Sequence, residues 1–130
     1  SGGSGDIACL SKRTIIIAAH EKRRFPEHCD YITSPGWIDG PQARKRAGLP
    51  WGGPFAVITT LGVLRFDEQT KRAYLALYHP GVTPEQVQEN TGFELDVSRA
   101  KETTPPTELE IRVLREKVDP EGIFLKKAEE

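Results

Sequence analysis

Gly2 and Gly3, followed by Ser4, Gly5 and Asp6, are the residues of this sequence best suited to present backbone to a substrate. Lacking Cβ atoms, the glycines permit close approach. They run into the apolar stretch Ile7-Ala8-Cys9-Leu10, whose pattern predicts a helix, and a helix N-terminus offers N–H groups and a dipole that favour negative charge. That equipment suits a thioester oxyanion or a phosphate, although a Gly/Ser run of this composition also serves as a plain linker. His20 is a second candidate, because it lies just past the end of a predicted strand, where ligands of open α/β sheets sit. A structural role is the competing reading for His20, as it is for His28 and His79, since the three share no ligand spacing. The run Lys22-Arg23-Arg24 is a third candidate: it would meet phosphate groups or a partner's acidic surface, or stand solvated.

Other chemistry is excluded by pattern. There is no Gly-x-Ser-x-Gly elbow, no His-Glu-x-x-His and no lysine-bearing phosphate loop. Cys9 and Cys29 match no zinc or redox spacing and read as small buried apolar residues, so no metal is expected. A net charge of −1 gives no basic excess for nucleic acid. The longest apolar run, Ile15 to Ala19, is far too short to span a bilayer, no signal peptide is visible, and a cytoplasmic, reducing compartment is the default expectation. The chain has 130 residues, enough for one domain with a core, and no methionine. Together with its start at Ser1, the missing methionine sets the expectation of a chain processed from a longer precursor, an engineered start being the alternative.

The elements that must position these residues are largely readable. Asp6 is the expected N-cap of a helix over residues 6 to about 11. Arg13 to Ala19, centred on Ile15-Ile16-Ile17, reads as a strand buried on both faces, worth roughly 2 kcal/mol per isoleucine and implying a parallel α/β arrangement. With no earlier βα unit beside it, that strand is expected to find its neighbours outside this chain. Residues 20 to 53 are punctuated by Pro and Gly, leaving room for a short strand at Cys29-Asp30-Tyr31-Ile32; so long an irregular stretch is usually functional or interface-forming. Ala56–Thr60, Gly62–Phe66 and Ala73–Tyr78 read as strands, with Asp67–Thr70 a turn. Thr83 caps a helix begun by Pro84 and running to Asn90. Phe93 to Val97 reads as a short strand, Thr103 to Pro106 as a linker, and Thr107 as the cap of a last helix carrying Leu109, Val113 and Ile111 or Leu114 in a stripe, ended by Asp119-Pro120-Glu121-Gly122 before Ile123-Phe124-Leu125.

Taken in order, several of these segments resemble the β subunit of the family I coenzyme A-transferases, in its C-terminal part. Gly2-Gly3-Ser4-Gly5-Asp6-Ile7-Ala8 is similar to that family's Gly-Gly-x-x-Asp loop and helix. The strand Thr14 to Ala19 with His20-Glu21-Lys22-Arg23-Arg24-Phe25 follows, then Tyr31-Ile32-Thr33-Ser34-Pro35-Gly36 and Val57 to Asp67. The series closes with His79-Pro80-Gly81-Val82-Thr83-Pro84-Glu85-Gln86-Val87 and Thr91-Gly92-Phe93, and the tail around Asp119-Pro120-Glu121-Gly122-Ile123 is similar to glutaconate-transferase-like β subunits.

The resemblance implies a three-layer α/β fold, with residues 1–102 forming part of the β-type domain and 103–130 a tail bearing a short helix. It implies an enzyme moving coenzyme A between dicarboxylic or 3-oxo acids through a glutamyl-CoA thioester. The glutamate of that thioester precedes the glycine loop in the family; none of Glu21, Glu27, Glu68 or Glu85 matches its position. Completion by an upstream β segment and an α subunit is therefore expected, with coenzyme A as co-substrate and no other cofactor. Gly2 and Gly3 match the positions whose amides face the reacting thioester, Ser4 and His20 are assigned to substrate, and Lys22, Arg23 and Arg24 to coenzyme A. A hydrolase or decarboxylase on the same scaffold, or a non-catalytic assembly fragment, are the competing functions.

Overall fold

The computed structural model describes residues 2–49 and 51–124. Helix α1 (Gly3–Leu10) leads into β1 (Thr14–Ala18), a 3-10 turn over Lys22–Arg24 and the short α2 (Ala43–Arg46). Then come β2 (Pro54–Thr59), β3 (Gly62–Phe66), β4 (Ala73–Tyr78), α3 (Pro84–Glu89), β5 (Lys101–Glu102) and α4 (Glu108–Val113), the last continued by a π-helical stretch, Leu114–Val118.

The strands form one sheet in the order β1-β2-β3-β4-β5. β1 pairs with β2 in parallel, β2–β3 and β3–β4 are antiparallel, and β4–β5 is parallel again. The sheet is thus mixed rather than parallel, because the hairpins that join β2, β3 and β4 are too short for any crossover. Val57, Leu64 and Leu75 lie on one face and pack with Val87 of α3 and Leu95 to form the core. Gly62 is required where it stands: a Cβ there would strike the Leu77 carbonyl of β4.

Three expectations about strands need correction. β1 does find a neighbour within the chain, in β2, and among the described residues it is an edge strand. Its isoleucines are not buried: Ile15 is 55% and Ile17 80% exposed, because the described residues supply no layer over them. A continuous β-branched run reports a preference for burial without saying which polypeptide provides it. Residues 29–32 form no strand, and Cys29, expected inside, is exposed, while Cys9 is half-buried. Phe93 to Val97 shrinks to a single bridge between Asp96 and Tyr74, and the strand that pairs with β4 is instead β5, at the edge of the expected linker.

Both capped helices form as read. Thr83 Oγ1 accepts the Gln86 amide and the Gln86 side chain accepts the Thr83 amide, with Pro84 at the first position; Thr107 and Glu110 repeat this capping box on α4. The α4 stripe is exposed at Leu109, Val113 and Leu114. Asp119 closes the segment, its carboxylate accepting the amides of Ile123 (2.8 Å) and Phe124 (3.1 Å). Leu125 lies outside the described residues.

The β3–β4 turn hangs on Asp67. Its carboxylate accepts the Thr70 amide (2.9 Å), the Gln69 amide (3.0 Å) and a guanidinium N–H of Arg99 (3.1 Å). Those bonds, the Thr70 amide first, lower its pKa from 3.8 to about 2. A lowered folded-state pKa means that the contribution is present above the unfolded value and is lost as pH falls through the folded one. Amide exchange at Gln69–Lys71 should therefore speed up beyond its intrinsic pH dependence between about pH 4 and 2. Asp67→Asn should remove that acceleration, and an unchanged profile in the variant would refute the assignment.

Candidate functional site

The glycine segment is not a loop. Helix α1 begins at Gly3, so Asp6 sits within the first turn rather than capping it, and Gly2 takes the N-cap position without any side-chain cap bond. Gly2 has φ 70° and ψ −153°, a combination essentially reserved for glycine. Gly3 has ordinary helical geometry, and a Cβ added to it would meet nothing within 4 Å. The two glycines therefore differ in kind: Gly2 is needed by the backbone, whereas Gly3 keeps space clear at the helix end.

A second segment runs along this helix. Ser34 Oγ lies 3.5 Å from Ser4 Oγ, and the position of a Cβ on Gly5 falls 3.3 Å from the Thr33 carbonyl. Arg44, a residue with no distinguishing signal in the sequence, fastens the two together. Only 3% exposed, it donates from Nη1 to the carbonyls of Pro35 (3.2 Å) and Gly36 (3.0 Å). From Nη2 it reaches the carbonyls of Ala8 (3.0 Å), Cys9 (3.4 Å) and Trp51 (3.2 Å). Ala8 and Cys9 lie in the last turn of α1, where carbonyls lack helical partners and a cation is favoured by the dipole. Trp51 Nε1 takes a third, Leu10 O, at 3.1 Å. The segment 33–36, Arg44 and Trp51 are thus a clamp that fixes the axis of α1, and with it the direction in which Gly2 and Gly3 point.

His20 is placed elsewhere. It is 5% exposed, stacked on Phe25 at 4.3 Å, with Nδ1 3.0 Å from Thr59 Oγ1 and Nε2 3.0 Å from Thr91 Oγ1. Thr91 gives its proton to Val87 O (2.8 Å), so its oxygen is an acceptor for Nε2–H. Thr59 Oγ1 accepts the amides of Leu61 (3.2 Å) and Gly62 (3.0 Å), and its one proton faces both the Gly62 carbonyl (2.9 Å) and Nδ1 (3.0 Å). The neutral Nε2–H tautomer places its proton on Thr91 Oγ1 and leaves Nδ1 to share the Thr59 proton with Gly62 O, in keeping with the burial that lowers the His20 pKa. Both ring nitrogens are occupied inside the core, which makes His20 a structural residue rather than the substrate contact expected of it. His79 is likewise structural, held by Thr59 O at 3.0 Å and Thr103 Oγ1 at 3.2 Å; His28, expected to be so, is exposed.

Lys22, Arg23 and Arg24 are exposed on the 3-10 turn, and Arg23 and Arg24 both pair with Glu21, at 2.6 and 3.3 Å. Arg23 and Arg24 therefore share one carboxylate, and the turn keeps a net positive charge. Among the described residues no group of three or more His, Cys, Asp or Glu side chains could hold a metal, and no helix is long and apolar enough to cross a membrane.

The model of the coenzyme A transferase family matches residues 1–90, the span that holds α1, its clamp, the sheet from β1 to β4 and α3. The chain belongs to the coenzyme A transferase family. It is 55% identical over 126 residues to the β subunit of glutaconate CoA-transferase from Acidaminococcus fermentans, covering 96% of this chain and 47% of that one. It is 40% identical over 116 residues to the β subunit of 3-oxoadipate CoA-transferase from Pseudomonas knackmussii, covering 88% and 45%. The crystal structure of glutaconate coenzyme A-transferase from Acidaminococcus fermentans superposes with a TM-score of 0.92 at 54% identity, over 98% of this chain and 49% of that chain. The chain thus has the α/β fold of the coenzyme A transferases and spans about half the length of the relatives it matches.

Proposed function

We propose that this chain forms part of an enzyme that transfers coenzyme A between carboxylic acids, and that its share of the work is electrostatic. The carrying observation is the start of α1: an N-terminus without a side-chain cap, entered through a backbone conformation reserved for glycine, with open space around Gly3. The relatives named for glutaconate and 3-oxoadipate transfer favour a dicarboxylic or 3-oxo acid as substrate.

In this reading a glutamate outside the chain attacks the thioester carbonyl of an acyl-CoA. The tetrahedral oxyanion collapses to a mixed anhydride and releases the CoA thiolate. The thiolate then attacks the glutamyl carbonyl, expelling the first acid and leaving a glutamyl-CoA thioester, and the acceptor carboxylate reverses the sequence. Each tetrahedral stage puts a negative charge on a carbonyl oxygen, where the Gly2 and Gly3 amides at the positive end of α1 would stabilise it. Ser4 lies one residue further along the same turn, within reach of substrate. The exposed Ile15 and Ile17 of β1 are the surface that an upstream β segment or an α subunit would cover, which accounts for isoleucines on an open edge strand.

The test is exchange. The full β chain, assembled with an α subunit, is given an acyl-CoA and a second dicarboxylic acid. Appearance of the second acid's CoA thioester with conservation of thioester supports transfer. Net loss of thioester to water, with the acid untouched, replaces this reading with hydrolysis on the same scaffold.

A further inference from the structure

Between Trp37 and the strands β2, β3 and β4 lies a concavity of about 560 Å³, a size ordinary for small-ligand sites. Its rings are Trp37, Phe55, Phe66 and Tyr74, and its charges are Arg65, Lys71 and Glu68. Cations rest on three of these four rings: Arg65 lies 4.1 Å and Arg13 4.9 Å from the Phe55 centroid, Lys71 4.7 Å from that of Trp37, and Arg99 4.0 Å from that of Tyr74. Significant cation–π pairs occur about once per 70–80 residues, so four around one concavity are a concentration. Arg99 is balanced by Asp67 and Asp96, but Arg13, Arg65 and Lys71 have no carboxylate partner among the described residues. Against these three stands Glu68, exposed on the β3–β4 turn.

The rings are held rigidly. Trp37 Nε1 donates to Pro54 O at 3.0 Å, and its indole lies so close to Gly53 that a Cβ there would come within 2.8 Å of the ring. Phe55 is the bulged residue of β2: Thr14 pairs with Pro54 and Ile15 with Ala56, leaving Phe55 without a partner on β1 and free to join the Arg65 face. Fixed rings overlaid by guanidinium planes, with unpaired cations among them, are what a planar base bearing phosphates needs.

The site is also within reach of the α1 N-terminus. Ser34 sits 3.5 Å from Ser4, and Trp37 follows three residues later, ~10 Å at full extension. In coenzyme A about twelve bonds separate the sulfur from the first phosphate ester oxygen, the length of about four extended residues, or ~14 Å. We propose that this cation–aromatic concavity holds the phosphorylated adenosine end of coenzyme A, an inference that rests on the coenzyme A chemistry proposed above. It takes the place of the phosphate contact expected at Lys22–Arg24.

Calorimetry on the full β chain assembled with its α subunit, with adenosine 3′,5′-bisphosphate as probe, tests it. The probe should bind and be displaced by coenzyme A. Arg65→Gln should weaken it about tenfold, as should Lys71→Asn, chosen because Lys71 has φ 59° and asparagine tolerates that region. Lys22→Ala should leave it unchanged. If coenzyme A fails to displace the probe, or if affinity is lost with Lys22→Ala and kept with Lys71→Asn, the pocket is not the nucleotide site. Should Arg65→Gln fail to fold, Lys71→Asn, on a surface turn, decides alone. Thioester exchange with probe binding indifferent to Lys71 sinks the pocket and spares the transferase reading; Lys71-dependent probe binding without exchange does the reverse.

Discussion

Gly2→Ala should lower turnover of the assembled enzyme by about 10²–10³-fold, the usual cost of one misplaced oxyanion donor, with a much smaller effect on acyl-CoA binding. At φ 70° and ψ −153° a Cβ makes the conformation sparsely allowed, at a cost of about 1–3 kcal/mol. The backbone escapes by rotating the Gly2–Gly3 peptide, and that rotation re-aims the Gly3 N–H. Gly3→Ala is the informative companion. Its backbone is helical and its Cβ would meet nothing, so the helix should start normally and any loss should track the bulk of the added methyl group at the helix end. Steady-state kinetics on both variants check this; equal turnover for Gly2→Ala and the parent would show that the amides face no reacting carbonyl.

Arg44→Ala should be the most destabilising single substitution in the irregular half of the chain. Five carbonyls share its two terminal nitrogens, and hydrogen bonds to a charged group contribute about 1.5–3 kcal/mol each, without adding fully. A loss of about 3 kcal/mol or more is expected. Arg44→Lys should recover little, because an ammonium offers one point of charge where the guanidinium forks toward Pro35 and Gly36 on one side and Ala8 and Trp51 on the other. The damage should be local: protease sensitivity should rise within residues 31–53, and turnover should fall with it as the axis of α1 loosens. Chemical denaturation of the assembled protein, followed by limited proteolysis, reads both effects. A loss below about 1 kcal/mol with no new cleavage would mean that the clamp does not hold α1.

The antiparallel part of this fold was legible from local signals. Alternating apolar residues in Gly62–Phe66 and Ala73–Tyr78, with Asp67 and Thr70 between them, carry both register and turn, and Thr83-Pro84 and Thr107 announce their helices through caps that act within a few residues. What failed depends on partners distant in sequence. Tyr31 and Ile32 have strand-forming side chains but no strand to pair with. Ile15–Ile17 have the composition of an interior strand, yet their cover is not in the described residues. Arg44 lay in a basic run, Arg44-Lys45-Arg46, indistinguishable in sequence from a solvated cluster, and only folding brings three separated carbonyl-bearing segments to one guanidinium. At the candidate site the glycines were visible, but their division of labour was not. The conformational demand falls on Gly2, and the spacing of Gly-Gly-x-Gly does not say which residue bears it.

The most direct measurement is where the covalent intermediate forms. The β chain assembled with its α subunit is incubated with acyl-CoA and no acceptor acid. The glutamyl thioester is then captured with hydroxylamine or reduced with borohydride, and the modified peptide is mapped. The label should fall on a glutamate outside residues 1–130, and Gly2→Ala should slow its appearance while leaving its position unchanged. A label on Glu21, Glu27, Glu68 or Glu85 would contradict the assignment of this chain as the oxyanion-stabilising side of the site.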